Sequence, residues 1–203
     1  MKERGLVIIV SAPSGAGKST ICARVLKKVR GTVYSVSVTT RPPRKGEVHG
    51  KSYFFTDEKN FRKLIRQKKL LEWAHVHGHY YGTPKDFILK NLARGKVLIL
   101  DIDVQGAMKI KKTELKNAVY VFIMTPDFET LKKRLINRGL DDEKVIQLRL
   151  KNARKELGYL KYYDYLIIND KLDIAVSKLC SVITAELLKI NKDTCRNKRS
   201  QII

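Results

Sequence analysis

The nine residues Ala12-Pro13-Ser14-Gly15-Ala16-Gly17-Lys18-Ser19-Thr20 carry the parts of a polyphosphate cradle. Closely spaced glycines let main-chain N–H groups converge on phosphate oxygens, a lysine reaches the outer phosphates, and a following Ser or Thr holds magnesium. The strict pattern asks for Gly at the first position, where this chain has Ala12. A motif this short also fits a Gly-rich turn with a surface lysine, so its surroundings decide. The apolar run Leu6-Val7-Ile8-Ile9-Val10 precedes it and a helical pattern starting at Ile21 follows. The stretch therefore joins a buried strand to a helix N-terminus, whose dipole favours an anion.

Two further stretches could do chemistry beside it. Asp101-Ile102-Asp103 closes the apolar run Val97-Leu98-Ile99-Leu100, which predicts a parallel strand covered on both faces. Carboxylates at the C-terminal end of such a strand lie where ligands bind in open α/β sheets, although Asp101 could instead cap a helix. The segment Thr39-Thr40-Arg41-Pro42-Pro43-Arg44-Lys45-Gly46-Glu47 is excluded from a central strand or helix by its prolines, and its arginines are expected to point outward. Planar guanidiniums grip phosphate bidentately.

The elements that must position these groups follow from periodicity. Ile21, Val25, Leu26 and Val29 mark a helix stopped by Gly31, and Val33 to Val38 alternates as one strand. Tyr53-Phe54-Phe55 is a short strand, Asp57 an N-cap, and Phe61, Leu64 and Ile65 one helical face. Residues Leu70 to Pro84 predict a hairpin with interleaved aromatic and polar residues, after which Pro84 opens a helix ending near Gly95. Val119 to Ile123 and Tyr165 to Ile168 are two more buried strands. Between them lie a helix with Phe128, Leu131 and Leu135 inward and a charged stretch from Asn137 to Lys161. A last helix carries Leu172, Val176, Leu179, Ile183, Leu187 and Ile190 on one stripe. Strands alternating with helices imply an α/β, three-layer fold around a central parallel sheet, with a small strand-rich insertion.

Composition narrows the partners. The 203 residues suit one domain, and 42 Lys+Arg against 20 Asp+Glu, a net charge of +22, favours anionic ligands. Cys22, Cys180 and Cys195 lack the spacing of a zinc site or disulfide framework, which suits a reducing, cytoplasmic setting. No apolar stretch reaches the roughly 20 residues needed to span a bilayer, so no membrane partner is expected. His75, His77 and His79 alternate as if on one strand face, but carboxylate or cysteine partners at metal-ligand spacing are missing.

Taken in order, these motifs resemble guanylate kinase. The matching pieces are the phosphate loop, Ser37-Val38-Thr39-Thr40-Arg41-Pro42-Pro43-Arg44-Lys45-Gly46-Glu47, Tyr53, Glu72-Trp73-Ala74, Tyr80-Tyr81-Gly82-Thr83, Leu100-Asp101-Ile102-Asp103-Val104-Gln105-Gly106, the arginines around Gly139, and Ile168-Asn169-Asp170. The resemblance implies a P-loop fold in one domain over residues 1–190. Its core would comprise residues 1–36, 89–136 and 162–190, with a nucleoside-monophosphate-binding insertion at 37–88 and a helical lid at 137–161. Residues 191–203 would form a basic, disordered tail.

The activity it implies is transfer of the γ-phosphoryl of ATP, with Mg2+, to GMP or dGMP. ATP would lie on Ser14, Gly15, Ala16, Gly17, Lys18, Ser19 and Thr20, with Asn169 near the adenine and Ser19 and Asp101 toward the metal. Arg134, Arg138 and Arg149 would swing in from the lid onto the phosphates. Arg41 and Arg44, with Tyr53 and Tyr81, would hold the acceptor phosphate, and Ser37, Glu72, Thr83 and Asp103 the base. Guanine presents N1–H and an exocyclic amine as adjacent donors that one carboxylate accepts together, whereas adenine's N1 lone pair repels it. Thr83 stands where the family often has Ser, and Leu140 departs from a small polar residue after the lid glycine. Three other classes compete: an inactive guanylate-kinase-like module binding phosphopeptides, a related P-loop kinase for another small molecule, and nucleic-acid binding. The first is disfavoured by Lys18, Ser19, Asp101 and the lid arginines. The last rests on charge alone, so no specific nucleic-acid partner is expected, and a homo-oligomer is left open.

Overall fold

The computed structural model describes residues 5–76, 78–113, 115, 117–137 and 142–189. Along the chain, β1 (Leu6–Ser11) leads through the phosphate loop into α1 (Lys18–Lys28), then β2 (Thr32–Tyr34), β3 (Val38–Thr39) and β4 (Phe54–Phe55). Next come α2 (Glu58–Arg66), β5 (Leu70–Val76), β6 (His79–Pro84), α3 (Lys85–Ala93), β7 (Val97–Asp101) and α4 (Val104–Lys111). The remainder is β8 (Ala118–Met124), α5 (Phe128–Asn137), α6 (Glu143–Leu157), a short 3-10 turn, β9 (Tyr165–Ile168) and α7 (Leu172–Leu188).

Five strands form a parallel sheet in the order β2-β7-β1-β8-β9. Every residue of central β1 is buried, as its unbroken apolar run requires. Its alternate residues serve two cores. Leu6, Ile8 and Val10 pack with Ile21 and Val25 of α1 and with Val176, Leu179 and Ile183 of α7. Val7 and Ile9 pack on the other face with Ile88, Leu100, Ala107 and Ile110. Each such fully buried aliphatic side chain contributes about 1.5–3 kcal/mol, so the sheet is a stiff platform.

A separate four-stranded sheet, β4-β3-β6-β5, carries the insertion. It changes one sequence expectation: Val33 to Val38 is two strands, not one. Tyr34 pairs with Ile99 in the large sheet, whereas Val38 pairs with Phe54 and Gly82 in the small one. The backbone crosses between the sheets at Ser35–Ser37, bonding Ser35 N–H to the Ile99 carbonyl and Phe54 N–H to the Ser37 carbonyl at 2.9 Å each. Continuous pairing with changed partners preserves the alternation and hides the break.

The histidines are also redistributed. His75 lies in β5 and His79 opens β6 beyond the turn at Gly78, so they do not alternate on one strand, and His77 lies outside the described residues. The α7 stripe rotates so that Ala175, Val176, Leu179 and Ile183 are buried, leaving Leu187 46% exposed beyond the end of the sheet. Arg138, Gly139, Leu140, Ile190, Cys195 and the 191–203 tail lie outside the described residues. Among the described residues, no helix is long and apolar enough to cross a membrane.

Candidate active site

The phosphate loop leaves the C-terminal edge of β1 and ends at Gly17, the N-cap of α1. The left-handed positions are Gly15 (φ 91°) and Gly17 (φ 88°), while Ala12 keeps an ordinary backbone and packs its methyl between two cores. This is why Ala serves at the first motif position. Gly17 is doubly required, since a Cβ there would stand 2.5 Å from Nδ2 of Asn169. That same Nδ2 donates to the Ala16 carbonyl at 2.7 Å, so the buried Asn169 braces the loop from β9.

Lys18, Ser19 and Asp101 converge. Lys18 Nζ lies 2.7 Å from Asp101 Oδ1 and donates to the Ile102 carbonyl at 3.0 Å, and Ser19 Oγ donates to Asp101 Oδ2 at 2.9 Å. Burial disfavours the Lys18 charge, but the Asp101 carboxylate outweighs it and holds the ammonium above its ordinary pKa. Asp101 is thus a site residue and not a cap. The capping role belongs to Asp103, whose Oδ1 accepts from Gly106 N–H at 2.8 Å at the start of α4.

From the lid side, α6 starts at the N-cap Asp142 and brings Arg149 onto the loop, where Nη1 donates to Ser14 Oγ at 2.5 Å. Arg134 of α5 donates to the Asn169 carbonyl at 2.9 Å. Arg138 lies outside the described residues. Glu156, two helical turns beyond Arg149 and so on the same face, was not singled out in the sequence, though the seven-residue spacing is the signal. Its buried carboxyl is pushed up to about 7, chiefly by burial, with Lys18 opposing and Asp103 adding to the rise.

In the insertion, Arg41 does not point outward as the proline-braced loop suggested. It is 8% exposed, with its guanidinium 5.3 Å from the Tyr53 ring centroid and 5.9 Å from that of Phe55. The cause is Glu47, which accepts from Arg41 Nη2 at 2.7 and 2.9 Å and from Arg44 N–H at 2.7 Å. Burial would raise the Glu47 pKa, but these bonds hold it below the usual carboxylate range. Glu47 thus orients Arg41, a contact that the loop motif alone does not reveal. An acid six residues beyond a buried arginine in a rigid loop was the available signal. The Arg44 side chain is exposed.

Tyr53 and Tyr81 meet edge-on with ring centroids 6.0 Å apart. The Tyr53 phenol is raised by burial and then by Asp101, with Lys18 opposing. Deeper in, Ser37 and Thr83 are buried and Glu72 is 7% exposed. Thr83 does not stand apart as an independent contact: its hydroxyl donates to Glu72 Oε1 at 2.6 Å. Glu72 Oε2 would lie 2.8 Å from a Cβ at Gly106, so only glycine lets the α4 N-terminus approach this carboxylate. Burial pushes Glu72 up to about 7, with the Thr83 bond opposing and Asp103 adding.

A phosphate loop on the central strand of a parallel sheet, with an arginine-bearing insertion built on a second sheet, defines a P-loop nucleotide-binding protein. A family profile described as guanylate kinase matches residues 4–186. The chain is 46% identical over 193 residues to the guanylate kinase of Caldanaerobacter subterraneus, covering 95% of this chain and 93% of that protein. It is 47% identical over 187 residues to that of Carboxydothermus hydrogenoformans, covering 92% and 91%. The crystal structure of guanylate kinase from Anaplasma phagocytophilum superposes with a TM-score of 0.79 at 33% identity, covering 93% of this chain and 89% of that one. The chain belongs to the guanylate kinase family.

Proposed function

We propose that the chain transfers the γ-phosphoryl group of ATP to GMP, and to dGMP, giving ADP and GDP. The observation that carries this reading is the buried Glu72 carboxyl, oriented by Thr83 beside Gly106 and Asp103 at the start of α4, just after the Asp101-Ile102 segment that holds Lys18. Such an acceptor matches the paired N–H donors of guanine and repels the N1 lone pair of adenine. Ser37 and Asp103 complete the base pocket.

Main-chain N–H groups from Ser14 to Thr20 cradle the ATP phosphates, and Lys18 exchanges its bond to Asp101 for the outer phosphates. Arg41, held in orientation by Glu47, grips the GMP phosphate with Arg44, Tyr53 and Tyr81. Arg134, Arg138 and Arg149 supply cationic charge to the phosphoryl group in transfer. Asn169 supports ATP through the loop it braces and lies on the adenine side. Aligning donor and acceptor suffices for direct transfer, and no covalent intermediate is needed. The adjoining oxygens of Ser19 and Asp101 form a hard donor set of the kind magnesium takes. When bound, the ion neutralises phosphate charge. The free thiols of Cys22 and Cys180 fit a reducing, cytoplasmic location.

An ADP-release assay across GMP, dGMP, AMP, CMP and UMP tests the assignment, with Glu72→Gln beside the wild type. GMP should be the best acceptor, and the variant should cut the GMP-to-AMP ratio of kcat/KM by about 100-fold or more, because the carboxylate that discriminates is gone. An unchanged ratio would show that the base is read elsewhere.

A further inference from the structure

Glu72 sits awkwardly for the task given to it. A carboxylate accepts both guanine donors only when ionised, yet burial and the Asp103 carboxylate favour its protonated form near neutral pH. Two cations line the same hollow as Glu72, Lys68 ahead of β5 and Lys109 on α4, and of these Lys109 opposes the rise. From β6 comes the Thr83 hydroxyl, and α2 and α3, which also pack on β5, bury only the apolar Phe61 and Ile88. Lys109, one turn beyond Gly106, donates from Nζ to the main-chain carbonyl of Trp73, the residue after Glu72. Its ammonium also lies 4.5 Å from the Trp73 ring centroid, so the side chain is held on β5 at both ends of one residue.

We propose that Lys109 is a positioning residue for base recognition: tethered to Trp73, its ammonium keeps the neighbouring Glu72 in the ionised form that accepts the two N–H donors of guanine. This rests on the reading of Glu72 as the guanine acceptor. Lys109 belongs to the core helix and Glu72 to the insertion, so the charge that tunes base recognition comes from the other half of the molecule. An exposed ammonium acting on a buried carboxylate is screened by water, so it favours the ionised form modestly. Removing it costs ionised Glu72 at low pH and nothing once the carboxyl is fully ionised.

The test is the pH dependence of kcat/KM for GMP in wild type, Lys109→Met and Lys109→Arg, from pH 6 to 9. Taking the variant-to-wild-type ratio at each pH cancels the ionisation of the substrate phosphate. Lys109→Met should lose about threefold at pH 6 and converge on wild type by pH 9, where the carboxyl is ionised in both. Lys109→Arg should follow wild type throughout. A loss of equal size at every pH would show a mechanical tether only and overturn the proposal, as would no loss at any pH. Carbon-13 NMR titration of Glu72 gives a second readout in Lys109→Gln: its midpoint should move up, and an unmoved midpoint would overturn the proposal. Glu72→Gln separates the two levels. If it leaves the GMP-to-AMP ratio unchanged, the base assignment fails and this proposal with it. If it relaxes the ratio while Lys109→Met shows no pH-dependent loss, only the role of Lys109 fails.

Discussion

The two halves of the cleft are built by different physics. The phosphate loop hangs from a sheet whose central strand β1 is buried throughout, and it is fixed by backbone geometry plus the Asn169 brace. The insertion buries Val38, Phe61 and Ala74, and beside these few apolar groups it buries Thr39, Arg41, Glu72 and Thr83. A buried polar group without a partner costs about 1–3 kcal/mol, so each of these must be paired. Thr39 donates to the Tyr80 carbonyl, Arg41 to Glu47, and Thr83 to Glu72. The phosphate-loop half is therefore a rigid platform on which Lys18, Ser19 and Asp101 meet. The acceptor half is a network of polar pairs in which affinity and ionisation are tuned together.

The largest expected effect tests the donor half. Lys18→Met should lower kcat by about 10³-fold, the scale of losing a preorganised cation at a transferring phosphoryl group. The far-UV circular dichroism should be unchanged, because Ser19 still donates to Asp101 and the sheet is untouched. Undiminished ADP production would remove Lys18 from the donor site and break the contrast at its strongest point.

An intermediate effect tests the network. Glu47→Gln leaves Arg41 in its aromatic cage with half its partner, so the guanidinium loses orientation and not position. The KM for GMP should rise about tenfold, in line with one charge-assisted bond, while the KM for ATP stays within twofold of wild type. Equal losses for both substrates would show that the two halves are one mechanical unit.

The same contrast explains what was legible in the sequence. The loop and the strands β1, β7 and β8 could be read because glycine spacing and unbroken apolar runs are local signals. Tyr165–Ile168, expected to be buried, is instead the edge strand β9 with Leu166 53% exposed, since an apolar run does not record its place in the sheet. The insertion was legible as motifs but not as contacts. Arg41 was expected to face solvent, since prolines announce a rigid loop but not that Glu47 folds back onto it. Thr83 and Glu72 were read as separate base contacts, because a pairing across β5 and β6 depends on register. Val33 to Val38 was read as one strand, because alternation does not record a change of partner. Lys109 gave no local signal, and the seven-residue spacing of Glu156 from Arg149 does not stand out among so many charges in a chain of +22.

The smallest expected effect sharpens the comparison most, because it asks whether the acceptor half works through ionisation. Thr83→Val keeps the volume of the side chain and removes the hydroxyl that donates to Glu72 Oε1. Glu72 already stands at about 7 with that bond opposing the rise, so its loss moves the carboxyl further up. Guanine needs the ionised form, so the defect should appear on the acid side and fade as pH rises. At pH 6, kcat/KM for GMP should fall ~3-fold, the scale of one neutral hydrogen bond, and it should match wild type by pH 9, with Thr83→Ser restoring the wild-type profile. A deficit that persists undiminished at pH 9 would mean that the hydroxyl touches the base itself, and that Thr83 is a direct contact after all.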